Sequence, residues 1–292
     1  MNMEQISSSY DIKSAPAFGS LVMLIGLTIL FGTFAGMFFV PLTNLVVQDE
    51  ILRKLLSGIW ISLFSFLLPP VVLRAYFRAK RLPFFVDFTR PKLSVGKAGK
   101  AVVLLLLMLP PVSLLGWVMA QVQIPDAFKP IQDAVEKETL MLLGESRPAG
   151  VLLVALFLTV VAPFSEEYFF RGGLMGWLVS RSGKSHVWVW VVALVFSLVH
   201  FEWTGLLARL LMGAVLGYVA LYGGIPMAVL LHALNNLFVF VIYKTTGLQD
   251  LFMGDPVSAT AGQLLFVVST TLVTLPTLFY LIRNLKRTPE EK

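Results

Sequence analysis

Long apolar runs alternate with short polar connections along the whole sequence. A helix of about 17 to 25 apolar residues crosses a hydrocarbon core of about 30 Å, and eight runs approach or reach that length. They lie at residues 18–40, 55–77, 101–120, 149–171, 187–201, 206–222, 225–243 and 261–282. The pattern predicts an all-α, polytopic membrane protein of about eight transmembrane helices.

The polar connections are too short for a separate soluble domain, so we expect a single integral-membrane domain over residues 1–292. Its expected parts are a cytoplasmic leader at 1–17, an N-terminal three-helix part at 18–148, a motif-bearing core at 149–243, and the last helix with a basic cytoplasmic tail at 244–292. The longest external connection, residues 121–147, is predicted to be a loop with one short surface helix.

Basic residues concentrate between Arg74 and Lys100, where eight of them accompany a single acid, Asp87. Cytoplasmic loops carry such an excess of Lys and Arg, so this connection is predicted to be cytoplasmic. With an even number of spans, both termini and the connection at 172–186 then lie in the cytoplasm as well. Membrane orientation therefore explains the net charge of +6, and we expect a lipid bilayer rather than nucleic acid as a partner.

The composition excludes several classes of protein. Hydrophobic residues make up 57% of the chain and charged residues only 14%, with a mean hydropathy of +0.81, whereas about 25% of an ordinary soluble domain is charged. A soluble enzyme, a disordered chain and a fibrous repeat do not fit these values. Because cysteine is absent, disulfides, thiolate metal sites and a cysteine nucleophile are excluded as well.

Few ionisable side chains fall within the predicted spans. Each is a candidate functional group, because placing it in lipid costs about 2.5 to 3.5 kcal/mol or more. These residues are Glu166, Glu167, Arg171, His200, Arg209 and His232. Arg209 follows Glu202 by seven residues near the predicted outer boundary, so we expect it to form an ion pair or to reach the interface. His186 lies in a polar turn, and we assign it no role.

Two adjacent glutamates and an arginine lie at the end of the fourth predicted span. Glu167 and Arg171 are four residues apart with the acid first, which is the favourable order for an ion pair on a helix. Glu166 points about 100° away from Glu167 on the same helix. We therefore predict that Arg171 neutralises Glu167 and that Glu166 is the reactive carboxylate.

Two further elements supply imidazole and amide groups. His200 follows Phe196 by four residues in the fifth span, and His232 precedes Asn236 by four on one face of the seventh. Gathered in an intramembrane polar cavity, these groups would suit hydrolysis of a peptide bond by an activated water. Glu166 would take the proton from water, and His200 would hold the water or pass the proton on. His232 and Asn236 would donate hydrogen bonds to the oxyanion.

The same side chains also suit a metal ion. Glu166, His200 and His232 form a set of two histidines and one glutamate, which is known to bind catalytic zinc with an open position for water. The HExxH motif is absent, however. The residue types alone leave metal-bound and metal-free activation of water open.

The motifs resemble those of a known family. Glu166-Glu167-x-x-x-Arg171, Phe196-x-x-x-His200 and His232-x-x-x-Asn236 follow in this order on hydrophobic segments. In this they are similar to the type II CAAX prenyl endopeptidases and their prokaryotic relatives, the CAAX protease and bacteriocin-processing (CPBP, or Abi) family. Each motif alone is weakly specific, but the three in order are strongly specific. The resemblance covers about residues 150–243.

The resemblance implies an eight-helix intramembrane endopeptidase with a site that opens toward the cytosol. It assigns activation of water to Glu166 with His200, the oxyanion hole to His232 with Asn236, and support of the site to Glu167, Arg171 and Phe196. It also implies a peptide or protein substrate, which carries a C-terminal lipid in the CAAX case. We adopt the glutamate-based description, which needs no cofactor, and we expect a multi-pass protein of a prokaryotic cell membrane.

Two functions of other classes stay open at this point. In a proton-coupled transporter, Glu166, His200 and His232 would relay protons, although no inverted repeat is detectable in the sequence. In a non-proteolytic scaffold or immunity protein, the same groups would form hydrogen bonds between helices.

The predicted depths of these groups disagree. At 1.5 Å per residue, Glu166 would lie about 8 Å from an inner helix end at Arg171, whereas His200 would lie about 20 Å from one at Val187. We therefore predict that the 172–186 segment enters the membrane as irregular backbone or that the fifth helix begins later than Val187.

Overall fold

The computed structural model describes residues 18–80, 93–245 and 260–286. These residues form helices and short connections, with no strand among them. The helices are α1 Phe18–Val46, α2 Glu50–Ala79, α3 Val95–Ala120, α4 Lys129–Leu143, α5 Pro148–Ser182, α6 Ser185–Leu198, α7 Leu206–Gly223, α8 Ile225–Thr245 and α9 Ala261–Arg283. The predicted all-α fold is confirmed. The leader at 1–17 and most of the basic tail lie outside the described residues.

Seven of these helices are long and apolar enough to cross a membrane, namely α1, α2, α3, α5, α7, α8 and α9. The remaining predicted span, the fifth at 187–201, corresponds to α6, an apolar helix of 14 residues. The connection at 121–147 contains the short helix that its sequence predicted, α4, with 15 residues. The chain is thus a polytopic membrane protein.

The helix that carries the two glutamates is longer than its predicted span. α5 continues past Arg171 to Ser182 and has 35 residues, so the prediction of irregular backbone in the 172–186 segment is wrong for all but its last few residues. The helix ends at Gly183, which has a φ of 67° and donates its N–H to the carbonyl of Val179 at 2.9 Å. Glycine adopts this left-handed conformation without steric cost. α6 then begins at Ser185, so a start later than Val187 is wrong as well.

The chain forms two compact units, each built from two separate stretches of sequence. The first comprises Met1–Pro91 and Ser146–Val189, and the second comprises Lys92–Glu145 and Trp190–Lys292. Among the described residues, the first unit therefore holds α1, α2, α5 and the start of α6. The second unit holds the rest of α6 and the remaining helices. Their boundaries differ from the predicted ones at 149 and 243, and the single domain stays a prediction.

In the first unit, the C-terminal half of α5 packs against α1 and α2. The buried cluster consists of Leu24, Leu73, Phe77 and Trp177. The indole Nε1 of Trp177 donates a hydrogen bond to Ser20 Oγ at 2.8 Å. A Cβ atom on Gly173 would lie 3.3 Å from the Leu24 side chain, so glycine allows the close approach of α1 to α5. Gly173, in the segment for which irregular backbone was predicted, is therefore a helix-packing residue.

In the second unit, α7 is the central helix. Every residue of α7 from Leu211 to Ala220 is buried, and α7 packs against α3, α8 and α9. On the α9 side, the ring of Tyr218 meets Phe279 edge to face, with ring centroids 6.2 Å apart at 82°. This buried helix provides the base on which the histidine-bearing elements lie.

Candidate active site

A buried ion pair lies in the middle of α5, in the first unit. Arg171 Nη1 donates to Glu167 Oε1 at 2.7 Å, and both side chains are 0% exposed. The ion pair that the four-residue spacing predicted is therefore present. Removing one partner of a buried pair leaves an uncompensated charge and costs about 3 to 5 kcal/mol. The pair thus fixes the orientation of this helix face.

Glu166, the neighbouring acid, has different surroundings from Glu167. Glu166 is partly exposed, whereas Glu167 is fully buried, because successive helical residues point about 100° apart. Arg171 also interacts electrostatically with Glu166. One guanidinium thus balances two carboxylates, and the group of three keeps a net charge of −1 when both acids are ionised.

The helix changes its hydrogen-bonding pattern on both sides of the acids. Wider π-helical turns occupy Phe157–Val161 and Tyr168–Met175, and the residues between them, Ala162–Glu167, are α-helical. Pro163 lies at the start of the α-helical segment, where its missing N–H removes a bond from the ladder. Turns of the π type within α-helices occur frequently at functional sites. The second one contains Arg171.

Aromatic side chains hold this part of α5 against α2. The ring of Phe66 on α2 lies 5.4 Å from that of Phe169 and 5.8 Å from that of Phe170, measured between centroids. Phe170 is 1% exposed. Since these rings follow the glutamates directly in sequence, their packing sets the rotation of the helix at Glu166 and Glu167.

His200 lies in the second unit, in the turn that follows α6 rather than within a helix. Its ring Nδ1 is 2.6 Å from the carbonyl oxygen of Phe196, and its backbone N–H donates to Ser197 O at 3.4 Å. The imidazole therefore takes the place of the missing helical N–H at this carbonyl near the helix end. A carbonyl only accepts, so Nδ1 carries the hydrogen, and in the neutral ring Nε2 is the basic nitrogen.

The residue after His200 has a strained backbone. Phe201 has a φ of 53°, and no other residue except glycine in the described ranges has a positive φ. For a bulky side chain, this conformation costs on the order of 1 to 3 kcal/mol and persists only where the surroundings impose it. Such strain clusters at functional sites.

Phe196 connects the two histidines of this unit. Its ring is 0% exposed and lies 4.7 Å from the His200 ring and 5.9 Å from the His232 ring, between centroids. Both contacts are edge to face, at 61° and 80°. In the Phe-x-x-x-His motif, the Phe196 ring thus packs against both histidine rings, and the Phe196 carbonyl is the hydrogen-bond partner of the His200 imidazole.

Gly213 on α7 makes room for Phe196. A Cβ atom on Gly213 would lie 3.1 Å from Cα and Cβ of Ala193 and 3.3 Å from Phe196 Cδ1. These distances are too short for an unchanged neighbour, so the glycine allows α7 to approach α6 closely. This agrees with the usual packing role of GxxxG pairs in membrane helices.

His232 and Asn236 lie one turn apart on α8. His232 is 3% exposed, and Asn236 is partly buried. The carboxamide oxygen of Asn236 accepts a hydrogen bond from Asn235 Nδ2 at 3.4 Å. The orientation of the Asn236 carboxamide is assigned from this contact.

The predicted residues therefore form two groups. Glu166, Glu167 and Arg171 are adjacent in the first unit, and Phe196, His200, His232 and Asn236 lie on neighbouring elements of the second. Gathering of both groups around one water stays a prediction. Within neither unit do three His, Asp or Glu side chains of the described ranges form a possible metal site. The zinc set of Glu166, His200 and His232 draws on both units and stays a prediction too.

Two other predictions concern charged and titratable side chains. Arg209 Nη1 donates to Glu202 Oε2 at 2.7 Å, and Nη2 donates to the Glu202 carbonyl at 3.2 Å. The predicted ion pair is confirmed. His186 is exposed near the start of α6, in keeping with the absence of an assigned role.

The sequence did not reveal three residues that hold the His200 turn. Ser197 Oγ donates to the carbonyl of Leu206 at 2.6 Å, and Gln132 on α4 is 5% exposed and accepts the N–H of Trp203 at 2.8 Å. The third is Phe201, for which no residue type indicates a left-handed backbone. The one signal in the sequence that could have indicated these contacts is a polar glutamine on the buried face of α4.

The fold and these residues define the class of the protein, a polytopic membrane protein with buried acid and histidine motifs. Comparison with family models gives a likeness for part of the chain: residues 148–238 match the model described as Rce1-like, Type II CAAX prenyl endopeptidase Rce1-like. The matched segment is just under a third of the chain and contains all seven predicted site residues. Neither the curated proteins nor the solved structures gave a match. The resemblance read from the motifs is confirmed for this segment, and the matched model describes a family of peptidases.

Proposed function

We propose that this protein is an intramembrane endopeptidase that hydrolyses a peptide bond near the cytosolic membrane face, in the manner of CAAX processing. The observation that carries the proposal is that the Rce1-like segment, residues 148–238, contains the glutamate, histidine and asparagine motifs together. Each motif also has a geometry suited to its role, as the following steps describe. The substrate is a peptide or protein, lipidated at its C-terminus in the CAAX case.

In the proposed reaction, Glu166 is the general base. Its carboxylate removes a proton from a water whose oxygen attacks the carbonyl carbon of the scissile bond, so that a C–O bond forms and the carbonyl oxygen becomes an oxyanion. The neighbouring Glu167 is already held by Arg171 at 2.7 Å, which supports the other acid as the base. Collapse of the intermediate then breaks the C–N bond, and the proton passes to the leaving amine.

The histidines and the asparagine have separate parts in this reaction. His200 carries its hydrogen on Nδ1, toward the Phe196 carbonyl at 2.6 Å, so Nε2 can accept a hydrogen bond from the attacking water. His232 and the NH₂ group of Asn236 donate to the oxyanion. Such a donor contributes about 3 to 4 kcal/mol to the stabilisation of the transition state.

The test is cleavage of a peptide library, including peptides with a prenylated C-terminus, by the purified protein and by Glu166→Gln. The amide keeps the shape of the side chain and removes the base. We expect cleavage by the wild type and a loss of about 100-fold or more in kcat for the variant, with an unchanged thermal unfolding profile. Glu136→Gln, at an exposed position on α4, is the matched control and retains full activity.

Two results would contradict the proposal. Undiminished cleavage by Glu166→Gln excludes Glu166 as the base, and absence of cleavage from every lipidated and unmodified peptide favours the scaffold or the transporter. The same assays with a strong chelator examine the metal question. Loss of activity on chelation and its return with zinc would replace the metal-free mechanism by one with Glu166, His200 and His232 as ligands.

A further inference from the structure

Gln132 on α4 is buried beside the turn that carries His200. Its side chain is 5% exposed, and both ends of its amide are used. Oε1 accepts the backbone N–H of Trp203 at 2.8 Å, and Nε2 donates to Thr204 Oγ1 at 3.4 Å. Both residues belong to the connection between α6 and α7, residues 199–205. A side chain 71 positions earlier in the sequence thus holds this connection.

The connection needs such support because its backbone is strained. Phe201, directly after His200, has a φ of 53°, and a conformation of this kind relaxes unless its surroundings prevent it. Local contacts restrain the two ends of the connection: the His200 ring bonds to the Phe196 carbonyl, and Ser197 Oγ bonds to the Leu206 carbonyl. The middle of the connection is restrained from α4.

A short polar network continues from Gln132. Thr204 Oγ1 lies 3.5 Å from Glu202 Oε1, and Arg209 binds Glu202 at 2.7 Å. The ring of Phe128, just before α4, also lies 5.7 Å from that of Trp203. Two members of this network contact the backbone of the connection: Arg209 Nη2 donates to the Glu202 carbonyl at 3.2 Å, and Gln132 accepts the shorter bond from the Trp203 N–H at 2.8 Å.

We propose that Gln132 is a positioning residue for His200: by holding Trp203 and Thr204 it keeps Phe201 left-handed and the His200 ring on the Phe196 carbonyl. In the reaction this keeps Nε2 of His200 as the basic nitrogen, and that part of the inference rests on the proposed function. The placement of the His200 ring by Gln132 does not depend on the proposed function, since it concerns only the tautomer of this imidazole.

The experiment uses ¹⁵N imidazole spectra of the full-length, histidine-labelled protein in detergent micelles. The chain has only three histidines, so His200→Gln and His186→Gln suffice to assign the resonances. In the wild type we expect His200 to show a protonated Nδ1 and an unprotonated Nε2. Gln132→Leu removes both hydrogen bonds, and we expect the two His200 nitrogen shifts to move toward each other as the tautomers mix. Hydrogen exchange of the Trp203 amide becomes faster.

Three further variants complete the design. Gln132→Asn keeps the amide but shortens the side chain, so we expect it to move the His200 nitrogen shifts in the same direction by a smaller amount. It replaces the leucine variant in the experiment if that variant does not fold. Gln132→Glu keeps the acceptor for the Trp203 N–H and retains the wild-type tautomer. Glu136→Leu, one turn further along α4 on its exposed side, leaves the spectrum unchanged.

Activity adds a second measurement. Because a misplacement of about 1 Å at a catalytic group lowers rates by up to about 100-fold, Gln132→Leu is expected to reduce kcat by about 10- to 100-fold with a smaller change in KM, and Gln132→Glu restores most of it. The inference is overturned if the leucine and asparagine variants leave the His200 shifts unchanged, or if the glutamate variant moves them as far as leucine does. Absence of peptide cleavage would refute the proposed function, whereas the imidazole spectra would still decide this inference.

Discussion

The acid motif and the first histidine motif share a spacing of four residues but use it in different ways. In the interior of α5, the spacing joins two side chains, Glu167 and Arg171, in an ion pair at 2.7 Å. At the end of α6 it joins a side chain to the backbone, because His200 Nδ1 bonds to the carbonyl of Phe196 at 2.6 Å. The first arrangement is stable within its own helix. The second depends on neighbouring elements that hold the turn after the helix.

This difference separates two ways of placing a reactive group. Glu166 is positioned by the rotation of a long helix, which buried aromatic residues and an ion pair fix. His200 is positioned by a helix end, a strained residue and restraints from α4 and α7. We therefore expect substitutions of the Glu167–Arg171 pair to act mainly on the stability of the fold, and substitutions around His200 to act mainly on local geometry.

The largest effect is expected for Arg171→Leu. Removing the guanidinium leaves Glu167 charged and fully buried, which costs about 3 to 5 kcal/mol of unfolding free energy. Equilibrium unfolding in detergent micelles measures this loss. Arg209→Leu is the matched control, because the Arg209–Glu202 pair has the same length of 2.7 Å but side chains that are 18% and 32% exposed, and pairs of that kind contribute about 0.2 to 1 kcal/mol.

The double variant Glu167→Gln with Arg171→Leu sharpens this prediction. If the penalty of the single variant comes from an unpaired charge, the double variant is more stable than Arg171→Leu alone, because no charge stays buried. A double variant that is less stable than the single one would assign the effect to packing of the arginine stem.

A second prediction concerns the packing of Phe196, whose ring contacts both histidines. Gly213→Ala introduces a Cβ 3.1 Å from Ala193 and 3.3 Å from the Phe196 ring, and overpacking of this kind costs about 1 to 3 kcal/mol. We expect lower stability and a shift of the His200 and His232 imidazole resonances, which report displacement of Phe196. Gly116→Ala on α3 is the control. Nothing lies within 4 Å of its added Cβ, so it is expected to gain about 0.5 to 1 kcal/mol.

A third prediction isolates the strain at Phe201. Because its φ is 53°, Phe201→Gly is expected to be more stable than Phe201→Ala by about 1 to 2 kcal/mol, since only glycine adopts this region without steric cost. Comparing the two small residues removes the contribution of the phenyl ring. At Val199, two positions earlier, φ is not positive and the order reverses, with alanine more stable than glycine. The same order at both positions would disprove the strain.

The sequence correctly predicted the features that depend on residues close together in the chain. Apolar runs gave the helical architecture, and the spacing of Glu167 and Arg171 gave their ion pair, because both depend on residues within one helix. It also placed His232 and Asn236 on one face of α8. These features follow from 3.6 residues per turn and from the cost of burying charge.

The two errors at helix ends arose from long-range contacts. The glycines after Arg171 suggested irregular backbone, but they continue α5 because Leu24 and Pro70 pack against Gly173. α6 ends before His200 although neither Gly nor Pro occurs there until Gly205. Its end is held by Ser197 and by Gln132, and nothing near His200 in the sequence indicates either bond. The positive φ of Phe201 follows from the same contacts.

The smallest effect is expected at the other end of α5, where an ion pair is exposed to solvent. Arg147, which precedes the first residue of α5, binds Asp49, the N-cap residue of α2, with Nη2 3.1 Å from Oδ1. The Arg147 hydrogen bond, followed by the N–H of Leu52, lowers the pKa of Asp49 from 3.8 to about 2. A lowered pKa in the folded state means that the ionised form is stabilised by folding. This contribution is complete above a pH of about 4 and is lost as the pH falls toward 2.

Asp49→Asn tests this contribution, because asparagine retains the N-cap hydrogen bond to Leu52 and loses only the charge. We expect the wild type to have a slightly higher unfolding midpoint than the variant at neutral pH, with the difference disappearing as the pH falls through the range of about 4 to 2 and shrinking in high salt. A difference at pH 2 as large as the one at neutral pH would mean that the charge is not its source. Together with Arg171→Leu, the variant compares an exposed ion pair between two helix ends with a buried ion pair inside α5, so burial of the partner charge would account for most of the gap between the two effects.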